Sequence, residues 1–99
     1  MQLTAKRSTG RSTGHISFPL LECWNPLAEL ALLVAEVDKQ RVTCRVSLAV
    51  LKENFVVSAE DPMLAVAENR ATLQAVARKL IERGAFENDG SILIRSKDF

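Results

Sequence analysis

Residues 29–47 read Glu29-Leu30-Ala31-Leu32-Leu33-Val34-Ala35-Glu36-Val37-Asp38-Lys39-Gln40-Arg41-Val42-Thr43-Cys44-Arg45-Val46-Ser47, and the fold turns on how this stretch divides. Its first half is nearly all apolar and is compatible with strand or helix on composition alone. Its second half alternates: Val42, Cys44 and Val46 fall on one face, Thr43 and Arg45 on the other. That period of two is the mark of a half-buried strand. Asp38-Lys39-Gln40 is a polar break with no helix cap, which favours strand for the first half as well. Two such runs joined by a few polar residues make an antiparallel hairpin.

Working outward, Ile16-Ser17-Phe18 alternates and predicts a short strand, stopped by Pro19. Proline removes a ladder donor, so this strand belongs at an edge. Trp24-Asn25-Pro26 reads as a turn. Ser47 reads as the N-cap of a short helix over 48–54, with Leu48 and Leu51 facing inward. Phe55-Val56-Val57 can either pack the helix end or form a brief extended segment. Asp61-Pro62 opens a long helix over 62–83, Asp61 as cap and Pro62 at the first helical position. Its apolar stripe is Met63, Val66, Leu73, Val76, Ala77, Leu80 and Ile81. Arg78, Lys79 and Arg83 suit the negative end of the helix dipole, and Gly84 closes the helix. Asn88-Asp89-Gly90 predicts a turn and residues 91–95 a last strand. The expected class is α+β: a small, mostly antiparallel sheet, one long helix packed on a face and one short helix.

The 99 residues fit one domain. Net charge is +1, but its distribution is uneven. Residues 1–14 hold Lys6, Arg7 and Arg11 with no acid and contain Arg-Ser-Thr-Gly twice in succession. So little apolar surface cannot offset the entropy of ordering, and the expectation is a flexible basic tail ahead of a mildly acidic domain over 15–99. No apolar run approaches the roughly 20 residues that span a bilayer. A cytoplasmic protein with no membrane association is expected. Cys23 and Cys44 are too few for a disulfide framework or a zinc site and are expected as reduced thiols.

Several short motifs occur in one order: Ile16-Ser17-Phe18-Pro19, Cys44-Arg45-Val46-Ser47, Asn69-Arg70, Gly84, Ile92-Leu93-Ile94 and Asp98-Phe99. In this order and spacing the chain resembles the small bacterial proteins catalogued as domain of unknown function 1488, over residues 16–99. The resemblance implies a stand-alone α+β domain and supplies no activity, cofactor or catalytic residue. The tail departs from the usual start of that family.

Four residues stand out as candidates for interaction: Arg70, Asn69, Trp24 and Arg45. Arg70 falls on the apolar stripe one turn from Val66 and Leu73. It serves either as an anion or partner contact at the helix–sheet margin or as a packed stem whose head reaches a carboxylate, with Glu22, Glu29 and Glu36 available. Asn69 precedes it in the motif. Trp24 is an interface anchor if exposed and a sheet-edge cap if buried. Arg45 points away from Cys44, which leaves Cys44 as a small core residue without an activating cation. Cys23, beside Trp24, is expected to be the more exposed thiol. His15 is the one histidine and lies at the edge of the tail. No nucleophile elbow, phosphate loop, calcium loop or metal-ligand spacing is present in the sequence. The expected function is therefore a non-enzymatic interaction or regulatory module without a cofactor, binding a protein partner or a second copy. The alternative is association with nucleic acid through the tail and Arg45, Arg70, Arg78 or Lys79.

Overall fold

The stretch 29–47 forms two paired strands in the computed structural model, which describes residues 15–99. The expected basic tail over 1–14 lies outside the described residues. In chain order the elements are β1 (Ile16–Ser17), β2 (Glu22–Asn25), β3 (Leu30–Val37), β4 (Gln40–Ser47), α1 (Leu48–Asn54), α2 (Pro62–Glu68), α3 (Arg70–Glu82) and β5 (Ile92–Ile94), followed by a 3-10 turn over Ser96–Asp98. β3 and β4 are antiparallel over their full length, from Leu30 opposite Ser47 to Val37 opposite Gln40. The connection is two residues, Asp38 and Lys39, both left-handed with φ of 51° and 72°. Two successive left-handed residues give the turn whose twist matches that of the strands it joins.

β1 and β2 share the other edge of β3. Ile16 and Ser17 face Val37 and Glu36, and Glu22 to Asn25 face Leu33 to Leu30. Pro19 interrupts the edge between them, as its missing N–H requires. The chain loops out there and returns where the Val34 amide donates to the Leu21 carbonyl at 3.2 Å. On the far side β5 runs parallel to β4, with Cys44 opposite Ile92 and Val46 opposite Ile94. A parallel pair needs a long crossover, and α1 to α3 supply it.

Three local expectations change. Trp24-Asn25 is not a turn but the end of β2. The Asn25 Oδ1 accepts from the amides of Leu27 and Ala28, both at 3.1 Å, so the reversal begins only at Pro26. The helix expected over 62–83 is two helices divided at Asn69, which has φ −117° and ψ 21°. The Asn69 Nδ2 donates to the Ala65 carbonyl at 2.8 Å, and this local competition for a helix acceptor is why asparagine ends helices. Asp61 makes no side-chain cap bond; its backbone instead forms an isolated bridge with Ser58. Elsewhere the sequence signals hold. The Ser47 Oγ accepts from the Val50 amide at 3.2 Å. Gly84, at φ 69°, closes α3: its amide donates to Ile81 and the next one to Leu80, both at 2.9 Å.

One face of the sheet carries the core. Leu33, Cys44, Val46, Ile92 and Ile94 meet Leu51, Val66, Leu73 and Leu80 from the helices, and all are buried. Ala31 and Ala35 alternate with Leu33 along β3, so small side chains leave room for the helices there. Phe55 closes the lower end with its ring edge-on to Phe99, centroids 5.5 Å apart. Val57 packs against the core and Val56 is exposed.

The Asp38-Lys39 turn does without glycine, and each left-handed residue costs on the order of 1 kcal/mol. Lys39→Gly is therefore expected to raise stability by about 1 kcal/mol in urea unfolding. An unchanged or lower midpoint would contradict this account of the turn.

Candidate interaction surface

β3 is apolar on both faces. Its inner residues, Ala31, Leu33 and Ala35, lie in the core. Its outer residues are Leu30, Leu32 and Val34, with Glu36 at the hairpin end, all half-buried. The register adds neighbours from the other strands. Leu32 stands between Cys23 and Arg45, Val34 lies opposite Thr43, and Arg45 lies opposite Leu93. Among the described residues no helix covers this outer face. An antiparallel sheet with one wet face normally alternates apolar and polar residues, and β3 departs from that pattern.

The charges on this face are unevenly satisfied. Arg41 pairs with Glu36 at 3.7 Å, near the hairpin turn. The Arg45 Nε is buried and has no hydrogen-bond partner among the described residues. Asp89 stands at the margin, where its Oδ1 accepts from the Ser91 hydroxyl at 2.6 Å and the Ser91 amide at 2.9 Å. These two bonds hold the Asp89 carboxyl below its ordinary value, and the positive charge of Arg45 helps. No hydrogen bond joins Arg45 to Asp89 among those described. Two shallow depressions adjoin on the face, of about 410 and 360 Å³, and both are lined by Leu32, Arg41 and Thr43. A larger one, about 680 Å³, opens beside His15 and the Asp38-Lys39 turn. Its lining sets the His15 imidazole beside Ser17, Glu36, Asp38 and Lys39, and Glu36 is the one already paired with Arg41.

The four candidate residues divide between two places. Arg70, Asn69 and Trp24 lie on the helix side. The Arg70 guanidinium forks onto Glu22, with Nε to Oε2 at 2.5 Å and an Nη to Oε1 at 2.9 Å. The hydrogen bond to Glu22 is the main cause that raises the Arg70 pKa further above its ordinary value. Asn69 is occupied by the Ala65 carbonyl, and Trp24 is half-buried against the core. These three have structural partners. Arg45, alone on the outer face, has a buried donor without one. Arg78, named for its charge, donates to the Ile16 carbonyl at 3.3 Å and sits over the Phe18 ring.

The outer surface of β3 escapes sequence reading, because an unbroken apolar run does not say which of its faces is covered. The available signal is the run itself: a strand apolar at consecutive positions is a strand with something on both sides. Glu22 on the inner face of β2 is also hidden, since β2 is cut short by Pro19 and Pro26.

Comparison with known proteins agrees with this architecture. Residues 16–94 match the family model described as protein of unknown function (DUF1488). A crystal structure of a DUF1488 protein of unknown function from Shewanella loihica PV-4 superposes with a TM-score of 0.74 at 21% identity, covering 87% of this chain and 97% of that one. No curated protein matches.

Cys23 is exposed and Cys44 buried, and burial pushes the Cys44 thiol up from 9.0 to about 11. As pH rises, the unfolded chain ionises this thiol first. The stability it contributes is therefore full below pH 9.0 and falls as pH climbs through about 11, by on the order of 2–3 kcal/mol. Cys44→Val is expected to lose that part of the alkaline destabilisation in urea unfolding at pH 8 and 10.5. Parallel pH profiles for the two proteins would contradict it.

Proposed function

The chain belongs to the DUF1488 family of proteins of unknown function, and from that premise we propose that it is a non-enzymatic interaction module that docks a protein partner on the open face of its sheet. One observation carries the reading: β3 is apolar on both faces, and only one of them is covered by the described residues. Leu30, Leu32, Val34 and Leu93 leave apolar surface at the centre of a rigid scaffold, where burial by a partner is favourable at about 25 cal/mol per Å². A sheet also holds its side chains in fixed register, which suits recognition better than a mobile loop. The inner residues keep the domain folded whether or not the outer face is occupied.

The nucleic-acid reading draws on less. Arg70 is engaged by Glu22 and Arg78 by Ile16 and Phe18, while Arg45 lies on the other side of the sheet. Charges so divided do not form one stripe that could track a phosphate backbone.

A photo-crosslinking residue, p-benzoylphenylalanine, placed at exposed Thr43 on the open face or at exposed Glu68 on α2 distinguishes the surfaces. In the native cell the Thr43 position is expected to give one dominant protein adduct and the Glu68 position none. Equal adducts from both sites, or none from Thr43, would overturn the reading.

A further inference from the structure

We propose that the element which docks on the open face is an acidic amphipathic helix of the partner, with a carboxylate delivered to Arg45. The inference rests on the reading of the open face above and adds the chemistry of its occupant.

The first argument is electrostatic. Among the described residues the Arg45 Nε is buried yet unpartnered, between Leu32 on β3 and Leu93 on β5. Anything that covers this face completes its desolvation and must bring an acceptor, or leave a charged donor buried without one. The acids already at hand do not reach it: Glu36 pairs with Arg41, and Asp89, whose Oδ1 accepts from Ser91, makes no hydrogen bond to Arg45 among those described. A guanidinium is matched best by a carboxylate, which accepts two parallel hydrogen bonds. A partner with a carboxylate amid apolar side chains is thus the charge complement of this face.

The second argument is one of dimensions. β3 and β4 are eight residues each. At about 3.4 Å per residue the face is about 27 Å long, and four strand lanes at about 4.8 Å make it about 19 Å wide. A helix of about 18 residues has that length, and at 10–12 Å across with side chains it fits the width. The face offers about 500 Å², below the roughly 800 Å² per partner of a standard interface between two folded surfaces. A second copy stacked face to face would fall short of that area. A single strand of nucleic acid would find no aromatic side chain to stack on, because among the described residues none projects from this face. A helix instead repeats on the outer face the helix-on-sheet packing that already serves the inner one.

The test is selection from a display library of 18-residue helices, with leucine fixed at one face and all other positions randomised, against the full chain. Selected helices are expected to carry Asp or Glu beside the leucine stripe and to shift the amide signals of Leu32, Val34 and Leu93. They are also expected to lose at least about ten-fold in affinity for Arg45→Gln, a variant checked for an unchanged melting temperature. Helices that bind the open face but are neutral or basic, or bind Arg45→Gln equally well, overturn the acidic-helix inference and leave the docking face standing. Helices that shift signals on α2 or α3 instead, or the recovery of no binder, overturn both.

Discussion

The backbone of β3 is paired along both edges, with β4 on one side and with β1 and β2 on the other. Every other part of the molecule is placed by this strand. β1 and β2 have no other lane to join, and β4 takes its register from the eight rungs of the hairpin. β5 then adds to β4, and the helices exist as the crossover that a parallel addition demands. The same register fixes which side chains reach the core, because a slip of one residue would exchange Leu33 for Leu32 and turn the strand inside out. In most half-covered strands a polar outer face forbids such a slip. Here Leu32 and Leu33 are the same residue type, so the tight Asp38-Lys39 turn and the Pro19 interruption carry more of the burden of fixing register.

The two faces of the sheet use charge differently. On the inner side Glu22 projects from an edge strand toward the helices and is met by the Arg70 fork. An inward charge on an edge strand is a known protection against edge-to-edge association, and the pairing limits its cost. The break between α2 and α3 at Asn69 sets Arg70 at the start of a helix rather than in the middle of one. On the outer side Asp89 stands near Arg45, but among the described residues no acceptor reaches the Arg45 Nε. The difference between these two arginines, one satisfied and one not, is what separates a structural corner from the face on which docking is proposed.

Much of the fold was legible in residues 29–47, because alternation at Val42, Cys44 and Val46 left only one assignment for β4. The caps at Ser47 and Gly84 were legible too, since each acts through its own neighbours. Strand β2 was not, because Asn-Pro announces a turn without saying on which side of asparagine it begins; Asn25 serves both as the last strand residue and as the acceptor that tightens the loop. The division at Asn69 was masked by a stripe that continues in phase across it, from Val66 to Leu73. For Arg70 the sequence offered three glutamates, and which of them it meets depends on the position of β2, which brings Glu22 to the guanidinium. For the open face the sequence held only the unbroken apolar run, which signals two buried sides without saying which of them the chain itself covers.

The central claim is that consecutive residues of β3 do different work, the inner ones holding the fold and the outer ones forming the face proposed to meet a partner. Urea unfolding of Leu33→Ala and Leu32→Ala compares two identical side chains one residue apart on opposite faces. The account predicts a loss of about 2–5 kcal/mol for Leu33→Ala, which is 3% exposed, and of about 1 kcal/mol for half-buried Leu32→Ala. Equal losses at the two positions would mean that the outer face is part of the core in solution and is not open to a partner.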